Sequence, residues 1–353
     1  QYGAGNQIQS FKVNKATTRT DAQQTSGKPP RPPSLTWSDE LLAEFNPATG
    51  AMDKLEQWNN FRYEEGERRA KAQKATLIAA TDNITLDGAA RFWDPSGSTS
   101  ADTIVMNQRS GDMTAEGSVN STRLPEKNKK QEGLLSSDQP VFAKAAHMTS
   151  TAENSAIRYE GEALMWQGAN RLQADRIDIN RKSGQLEANG KVVSQLLDKA
   201  DSKPKSGAKA PAKQKEQMFT VVRAPKMTYS DKQRIAHSTG GAVLQRASTV
   251  VNASEIRAFM STSEQDSSLE KAVADGDVKI VQTTPDRTRT GLSQHAEYFP
   301  DDGRVILEGG EPKLLDTVKG ETRGVRLTYH SGDDRLFVEG GQQQPVRSRL
   351  LRK

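Results

Sequence analysis

The sequence predicts an all-β chain, an elongated sheet assembled from repeated strand–turn–strand units. Three observations predict it. Apolar and polar residues alternate with a period of two in Arg176-Ile177-Asp178-Ile179, Ala156-Ile157-Arg158-Tyr159 and Arg326-Leu327-Thr328-Tyr329, which puts one side of a strand on a core and the other in solvent. Polar, glycine-bearing turns separate these runs: Ser110-Gly111, Ser183-Gly184, Asp301-Asp302-Gly303 and Ser331-Gly332-Asp333-Asp334. Asp and Asn tolerate left-handed backbone and Gly supplies it freely, so these segments are hairpin turns with a mechanism. Finally, one pattern recurs. Ala174-Asp175-Arg176-Ile177-Asp178-Ile179-Asn180, a turn, and Leu186-Glu187-Ala188-Asn189-Gly190-Lys191-Val192 match Ala101-Asp102-Thr103-Ile104-Val105-Met106-Asn107, a turn, and Met113-Thr114-Ala115-Glu116-Gly117-Ser118-Val119. A repeated supersecondary unit builds one continuous core by stacking.

The repeat has a longer period. Leu77, Met148, Met227 and Tyr298 follow one another at 71, 79 and 71 residues, and Ile104, Ile177, Ile256 and Leu327 at 73, 79 and 71. Gly88, Gly161, Gly240 and Gly309 follow at 73, 79 and 69. Each superunit is two strand–turn–strand units, hence four strands. Residues 1–61 hold a partial first superunit with a Pro-rich loop at 20–34, and 62–353 form a continuous repeat body with disordered insertions near 124–139 and 198–217. All three insertions follow the same kind of strand, which marks one edge of the object. Two stretches, Ser38 to Phe45 and Tyr63 to Ala75, have some helical character. The repeat register runs through both, and Leu41–Phe45 and Ala75–Ala79 are read as strands.

Composition bounds the function. Of 353 residues 33% are hydrophobic, 5% aromatic and 27% charged, too apolar-poor for a compact enzyme of this length and suited to a narrow two-layer structure. The net charge of +5 is small and spread along the chain, which fits an ordinary solvated surface and leaves room for an anionic partner such as a phosphorylated lipid or nucleic acid. The absence of cysteine rules out disulfides and thiolate chemistry. No apolar run is long enough to cross a membrane as a helix. The residues after Gln1 read as the tail of a repeat already under way, so the chain is expected to be the C-terminal part of a longer precursor.

No catalytic constellation emerges, and no metal or cofactor site is expected. His147, His237, His295 and His330 share no ligand spacing. Asp102, Asp175 and Glu255 recur at one phase of the repeat, whereas a catalytic pair is needed once, so they mark a polar face or an edge. The glycine pairs Gly240-Gly241 and Gly309-Gly310 lack the Lys-Ser/Thr of a phosphate loop and are read as bends. Bent at every such glycine, the sheet curls into two layers facing each other. The inner set is then Ile104, Met106, Ile157, Tyr159, Ile177, Ile179, Met227, Tyr229, Ile256, Leu307, Leu327 and Tyr329. Such a trough either packs shut as a core or holds an apolar ligand. Arg176, Arg257 and Arg326 are candidates to meet anionic groups at its rim.

The motif Ala-Asp-x-Ile-x-Ile/Tyr, turn, Leu-x-Ala-x-Gly-x-Val resembles the OstA-like repeat of the lipopolysaccharide transport proteins, the group of LptA, LptC and the N-terminal domain of LptD. Its best copies fall at 101–122, 172–194, 224–246 and 290–346. The resemblance implies a twisted β-jellyroll whose interior takes lipid A acyl chains. It implies a periplasmic scaffold, not an enzyme, that carries lipopolysaccharide or a related glycolipid toward the outer membrane, with no nucleic-acid partner. It also implies joining to other β-jellyroll transport proteins through open edge strands. The length and the Lys/Pro-rich insertions depart from the family pattern; a fusion of an LptC-like part upstream of an LptA-like part explains the length and the mid-repeat start, and tethering to the inner membrane by an upstream segment is compatible with it. Two other classes stay open on the residues alone: a structural or adhesive β-solenoid that binds protein and no lipid, and a carbohydrate-active β-fold enzyme, which needs a carboxylate pair in a cleft.

Overall fold

The structure is a computed structural model and describes residues 1–2, 8–21, 32–125, 139–151, 154–197, 218–261, 269–342 and 345–350. The insertions expected near 20–34, 124–139 and 198–217 lie largely outside the described residues. The described residues form antiparallel β-strands and one 3-10 turn at Ala79–Thr81. They divide into two compact units, the first reaching residue 165 and including 176–183, the second holding 166–175 and everything from Gly184 on.

The first unit is a meander in which each strand pairs antiparallel with the next: β1 (Ser10–Thr20), β2 (Ser34–Phe45), β3 (Met52–Glu65), β4 (Arg68–Ile78), β5 (Asn83–Asp94), β6 (Gly97–Asn107), β7 (Met113–Arg123) and β8 (Val141–Thr151). β9 (Ala156–Gln167) and β10 (Asn170–Asn180) have residues in both units. The second unit continues with β11 (Gln185–Leu197), β12 (Phe219–Ser230), β13 (Ile235–Arg246), β14 (Thr249–Met260), β15 (Leu269–Thr284) and β16 (Arg287–Phe299), again paired in order. Both stretches with helical character in the sequence are strand: Leu41–Phe45 lies in β2 and Ala75–Ile78 in β4, with Ala79 already in the 3-10 turn.

Nearly every strand is bent at its middle, and the bend has one chemistry. On alternate strands two consecutive residues take left-handed backbone: Gly88-Ala89, Gly117-Ser118, Gly161-Glu162, Gly190-Lys191, Gly240-Gly241 and Gly276-Asp277. The ladder register shifts at the same places, for example between Glu116 and Val119 and between Asn189 and Val192. This is a β-bulge, which turns a strand and increases its twist. Glycine leads because a side chain there has no room. A Cβ on Gly161 would lie 2.6 Å from the Cβ of Ala146, and one on Gly190 2.8 Å from the Cβ of Asp175. The Ala-Asp of the repeat is thus the neighbouring strand passing over the bend. In β3 an Asn pair does the same work: Asn59 and Asn60 are left-handed, and Asn60 Nδ2 donates to Asp39 Oδ2 at 2.6 Å.

The bend divides each unit into two limbs. Limb A holds the strand halves next to turns such as 108–112, and limb B the halves on the far side of the bend. In the limb A turns Asn46, Asn107 and Asn180 each turn their side-chain oxygen onto the next backbone amides; Asn107 Oδ1 accepts from Arg109 at 3.0 Å and Ser110 at 2.8 Å. The strand ends flanking all three insertions, Thr20 and Ser34, Arg123 and Val141, Leu197 and Phe219, are limb B ends.

After β16 the bent strand breaks into separate pieces. β17 (Arg304–Glu308) and β18 (Lys313–Asp316) both pair with β16, one on each limb. β20 (Arg326–His330) and β21 (Arg335–Glu339) extend limb A, while β19 (Gly320–Arg323) and β22 (Arg347–Leu350) extend limb B. The expected superunit is visible: Leu77, Met148, Met227 and Tyr298 sit on β4, β8, β12 and β16, four strands apart.

The core of each unit lies on the inner faces of the limbs. Ile104 and Leu86 in the first, and Met227, Leu244, Ile256 and Leu327 in the second, are essentially without solvent contact. Each such side chain contributes about 1.5–3 kcal/mol by leaving water.

Candidate functional site

The inner face of limb A is built by the period-two alternation. Of the twelve side chains expected there, Ile104, Tyr159, Ile177, Met227, Tyr229, Ile256, Leu307 and Leu327 are buried. Met106, Ile157, Ile179 and Tyr329 are half-buried. Opposite them, limb B mixes small side chains with large ones: Ala90, Thr99, Ala101 and Val119 beside Phe61 and Met165 in the first unit, and Val192, Ser194, Val222 and Val278 beside Leu172, Leu196, Leu244 and Ile280 in the second. The lining is therefore interrupted by polar groups. Thr99 and Ser121 share a hydroxyl hydrogen bond at 3.1 Å, and Gln57 Nε2 donates to Ser38 Oγ at 3.1 Å, so these buried groups are satisfied.

The limbs touch across the interior. Ser121 on limb B donates to the sulfur of Met148 on limb A at 3.4 Å and hydrogen-bonds the Tyr159 hydroxyl; burial pushes that phenol pKa up. Gly291 of limb B carries no side chain where Leu307 of limb A comes in, and a Cβ there would be 2.8 Å from Leu307 Cδ1.

In the second unit the limbs leave a cleft of about 70 Å³. Leu307, Leu327 and Tyr329 of the expected set line it, with Ile280, Tyr298, Val305, Leu314 and Leu336 as further apolar walls and Gln282 and Arg289 as polar ones. Most of the other expected residues are packed in the core. Through Arg289 the cleft adjoins an ion network. Arg287 Nε reaches both carboxylate oxygens of Asp316 at 2.8 Å, and Arg287 Nη1 and Arg289 Nη2 reach Asp334 at 2.7 and 2.8 Å. Burial alone would raise the pKa of Asp316, but Arg287 and the backbone amides of Val318 and Lys319 outweigh it and hold it at about 2. Asp334 is also lowered, Lys319, Arg287 and Arg289 outweighing the effect of burial. The Arg289 guanidinium stacks over Tyr329 at 5.0 Å.

The rim arginines expected from the sequence are elsewhere. Arg176, Arg257 and Arg326 each neighbour an inward residue along their strand, and alternation sends them to the outer face. There they have carboxylates of their own: Arg176 pairs with Asp178 at 2.7 Å, Arg257 with Glu255 and Asp275 at 2.7 and 2.9 Å, and Arg326 with Glu308 at 2.9 Å. Arg289, which does line the cleft, and its neighbour Arg287 show no repeat spacing, and the sequence pattern did not single them out. The acids of the repeat are equally structural. Asp102 and Asp175 cover the bends at Gly117 and Gly190, and Glu255 sits in an outer ladder with Arg257 and His237, which lower its pKa. His295 pairs with Asp275 at 2.6 Å. Among the described residues no three acids and histidines converge as a metal site, and no helix is long and apolar enough to cross a membrane.

Comparison with known proteins follows the same lines. The family model described as LptA/(LptD N-terminal domain) LPS transport protein matches residues 33–112 and 143–264, more than half of the chain. Among solved structures, the chain is similar to LptH, the LptA-homologous periplasmic component of the conserved lipopolysaccharide transport device from Pseudomonas aeruginosa, at 17% identity and a TM-score of 0.34, over 38% of this chain and 95% of that one. No curated protein matches the chain in sequence. A sheet bent once per strand, repeated with the Ala-Asp and Gly positions in register and matched over most of two long segments, places this chain in the LptA/LptD N-terminal family of lipopolysaccharide transport proteins.

Proposed function

We propose that the chain is a non-enzymatic periplasmic scaffold whose trough receives the acyl chains of lipopolysaccharide, or of a related glycolipid, on their way to the outer membrane. The observation that carries this reading is the apolar cleft between the limbs in the second unit, lined by Leu307, Leu327, Tyr329 and Leu336 and partly open to solvent. Such a slot suits an apolar chain, and the sugar and phosphate groups would stay at the rim. The chain would join other β-jellyroll transport proteins through its outermost strands. Among the described residues β1 pairs only with β2, and its Phe11 and Val13 are exposed; a free strand edge of this kind is a template for β-addition.

A photo-crosslinking amino acid at Tyr329, inside the cleft, tests the reading against the same group at Phe337, exposed on the neighbouring strand. Capture of lipopolysaccharide in cells at Tyr329 and not at Phe337 is expected. No capture at Tyr329 would remove the conduit. It would favour the second reading, a structural β-protein that binds protein alone, for which the complete packing of Ile104 and Ile177 speaks.

A further inference from the structure

Arg289 lines the cleft in the second unit, and beside it stand two carboxylates that differ in how they are held. Asp316 belongs to limb B. Its side chain is 5% exposed, it takes the Arg287 fork, and it accepts the backbone amides of Val318 and Lys319 at 2.9 and 3.0 Å. Every lone-pair direction has a donor, so this carboxylate is a fixed part of its limb.

Asp334 comes from limb A, on the turn after β20, and its side chain is 39% exposed. Its partners stand largely across the gap: Arg287 Nη1 at 2.7 Å, Arg289 Nη2 at 2.8 Å and Lys319 Nζ at 2.8 Å. The Tyr329 hydroxyl of its own limb donates to it at 3.3 Å. The turn that presents it is short and glycine-containing, Ser331-Gly332-Asp333-Asp334, with Asp334 left-handed. Three cations thus face two carboxylates, and of the two the exposed one ties the limbs together.

A phosphate monoester carries about −1.5 to −2 charge and three strong acceptor oxygens, more than one carboxylate offers to Arg287, Arg289 and Lys319. Arginine forks accept phosphate in the same two-pronged geometry as carboxylate. Arg289 also lines the apolar cleft beside Leu307, Leu327 and Leu336, so an amphiphile with its chain in the cleft would bring its headgroup to this cluster. We propose that Asp334 is a displaceable clasp: a phosphate monoester takes its place on Arg287, Arg289 and Lys319, and the limbs part at this end of the trough. The exchange rests on the transport reading for the origin of the phosphate as a lipid headgroup.

The absence of native cysteine allows two introduced ones to be spin-labelled cleanly, at Val318 on limb B, which is 46% exposed, and at Asp333 on limb A. The distance between them is read by pulsed electron resonance for protein alone, with lipid A in micelles, with dephosphorylated lipid A, and with inorganic phosphate; lipid retained by the protein is measured in parallel. Lipid A is expected to lengthen the distance beyond the width of the starting distribution, inorganic phosphate to do so in part, and dephosphorylated lipid A to be retained without lengthening. Asp334→Asn is expected to start long and Asp334→Glu short. Equal lengthening by both lipids would mean that the chains wedge the limbs apart, and a short distance in Asp334→Asn would mean that no clasp exists; either overturns the proposal. Lipid A retained with the distance unchanged overturns the clasp and leaves the transport reading standing. If no lipid is retained, the transport reading fails, and inorganic phosphate decides the clasp: lengthening upholds the exchange and none ends it.

Discussion

Arg246 on β13 donates from Nη1 to the phenol oxygen of Tyr298 on β16 at 2.6 Å, and its guanidinium lies 5.9 Å from the ring centre. The two strands are three apart in the ladder and their contacting halves belong to opposite limbs. Limbs of a twisted sheet cross at an angle, so a contact through the interior joins strands that are not neighbours. Ser121 on β7 and Tyr159 on β9 repeat the relation in the first unit. Tyr298→Phe removes a hydrogen bond to a charged group and is expected to cost about 1.5–3 kcal/mol. A double-mutant cycle with Arg246→Ala, read by denaturant midpoints, should return a coupling of about 0.5–3 kcal/mol; additive single effects would deny that the limbs are tied here.

Gly190 and Gly50 are both left-handed, at φ of 77° and 69°. A Cβ on Gly190 collides with the side chain of Asp175, whereas one on Gly50 meets nothing within 4 Å. Both Gly→Ala variants carry the backbone strain of about 1 kcal/mol. Gly190→Ala should lose about 1–3 kcal/mol more through forced repacking. Equal midpoints in urea would show that the neighbouring strand yields at the bend.

Ile177 has no solvent contact and Ile179, two residues on, is half-buried. Ile177→Ala is expected to destabilise by about 2–5 kcal/mol, and Ile179→Ala by clearly less. Chemical denaturation of the two variants checks the order, which reverses if the trough is open at Ile177.

Asp316 titrates at about 2 in the folded chain against an ordinary aspartate value of 3.8. Between those values, falling pH protonates the unfolded chain and not the folded one, so stability is complete above the upper value and lost on the way down to the lower. Asp334 moves in the same direction. Asp316→Asn should flatten the dependence of unfolding free energy on pH between about 4 and 2. At neutral pH it should cost about 3 kcal/mol, because Arg287 keeps its charge with one partner fewer. An unchanged acid limb would show that these carboxylates do not govern acid unfolding.

Limb A was legible in the sequence because its inward residues are large. Pairs such as Ile177 with Ile179 stand out against charged neighbours. Limb B was not. Its inner face intersperses Ala101, Thr99 and Ser194 among Phe61, Met165, Leu172 and Leu196, and the small and polar members break the hydropathy signal. The bends were found through their glycines, yet the second residue of most of them went unseen. Ala89, Ser118, Glu162 and Lys191 are left-handed without any residue preference to announce it, forced there by the ladder on either side. The Asn59-Asn60 bend escaped because it contains no glycine. The rim network escaped for another reason. Arg287 meets partners 29 and 47 residues away, and proximity of that kind is created by pairing order and limb crossing, not by a local motif. The rim arginines chosen from the repeat pointed outward for the same reason that their isoleucine and leucine neighbours pointed inward.

The bend at Gly117-Ser118 is made by residues of its own hairpin and of the strand beside it, and so is the bend at Gly190-Lys191. Nothing in either depends on how many hairpins come before or after. The form of a bend and the number of bends are consequently written in different parts of the sequence. A further pair of strands inserted in phase would add one hairpin and leave every existing bend alone, so length in this architecture is a matter of counting.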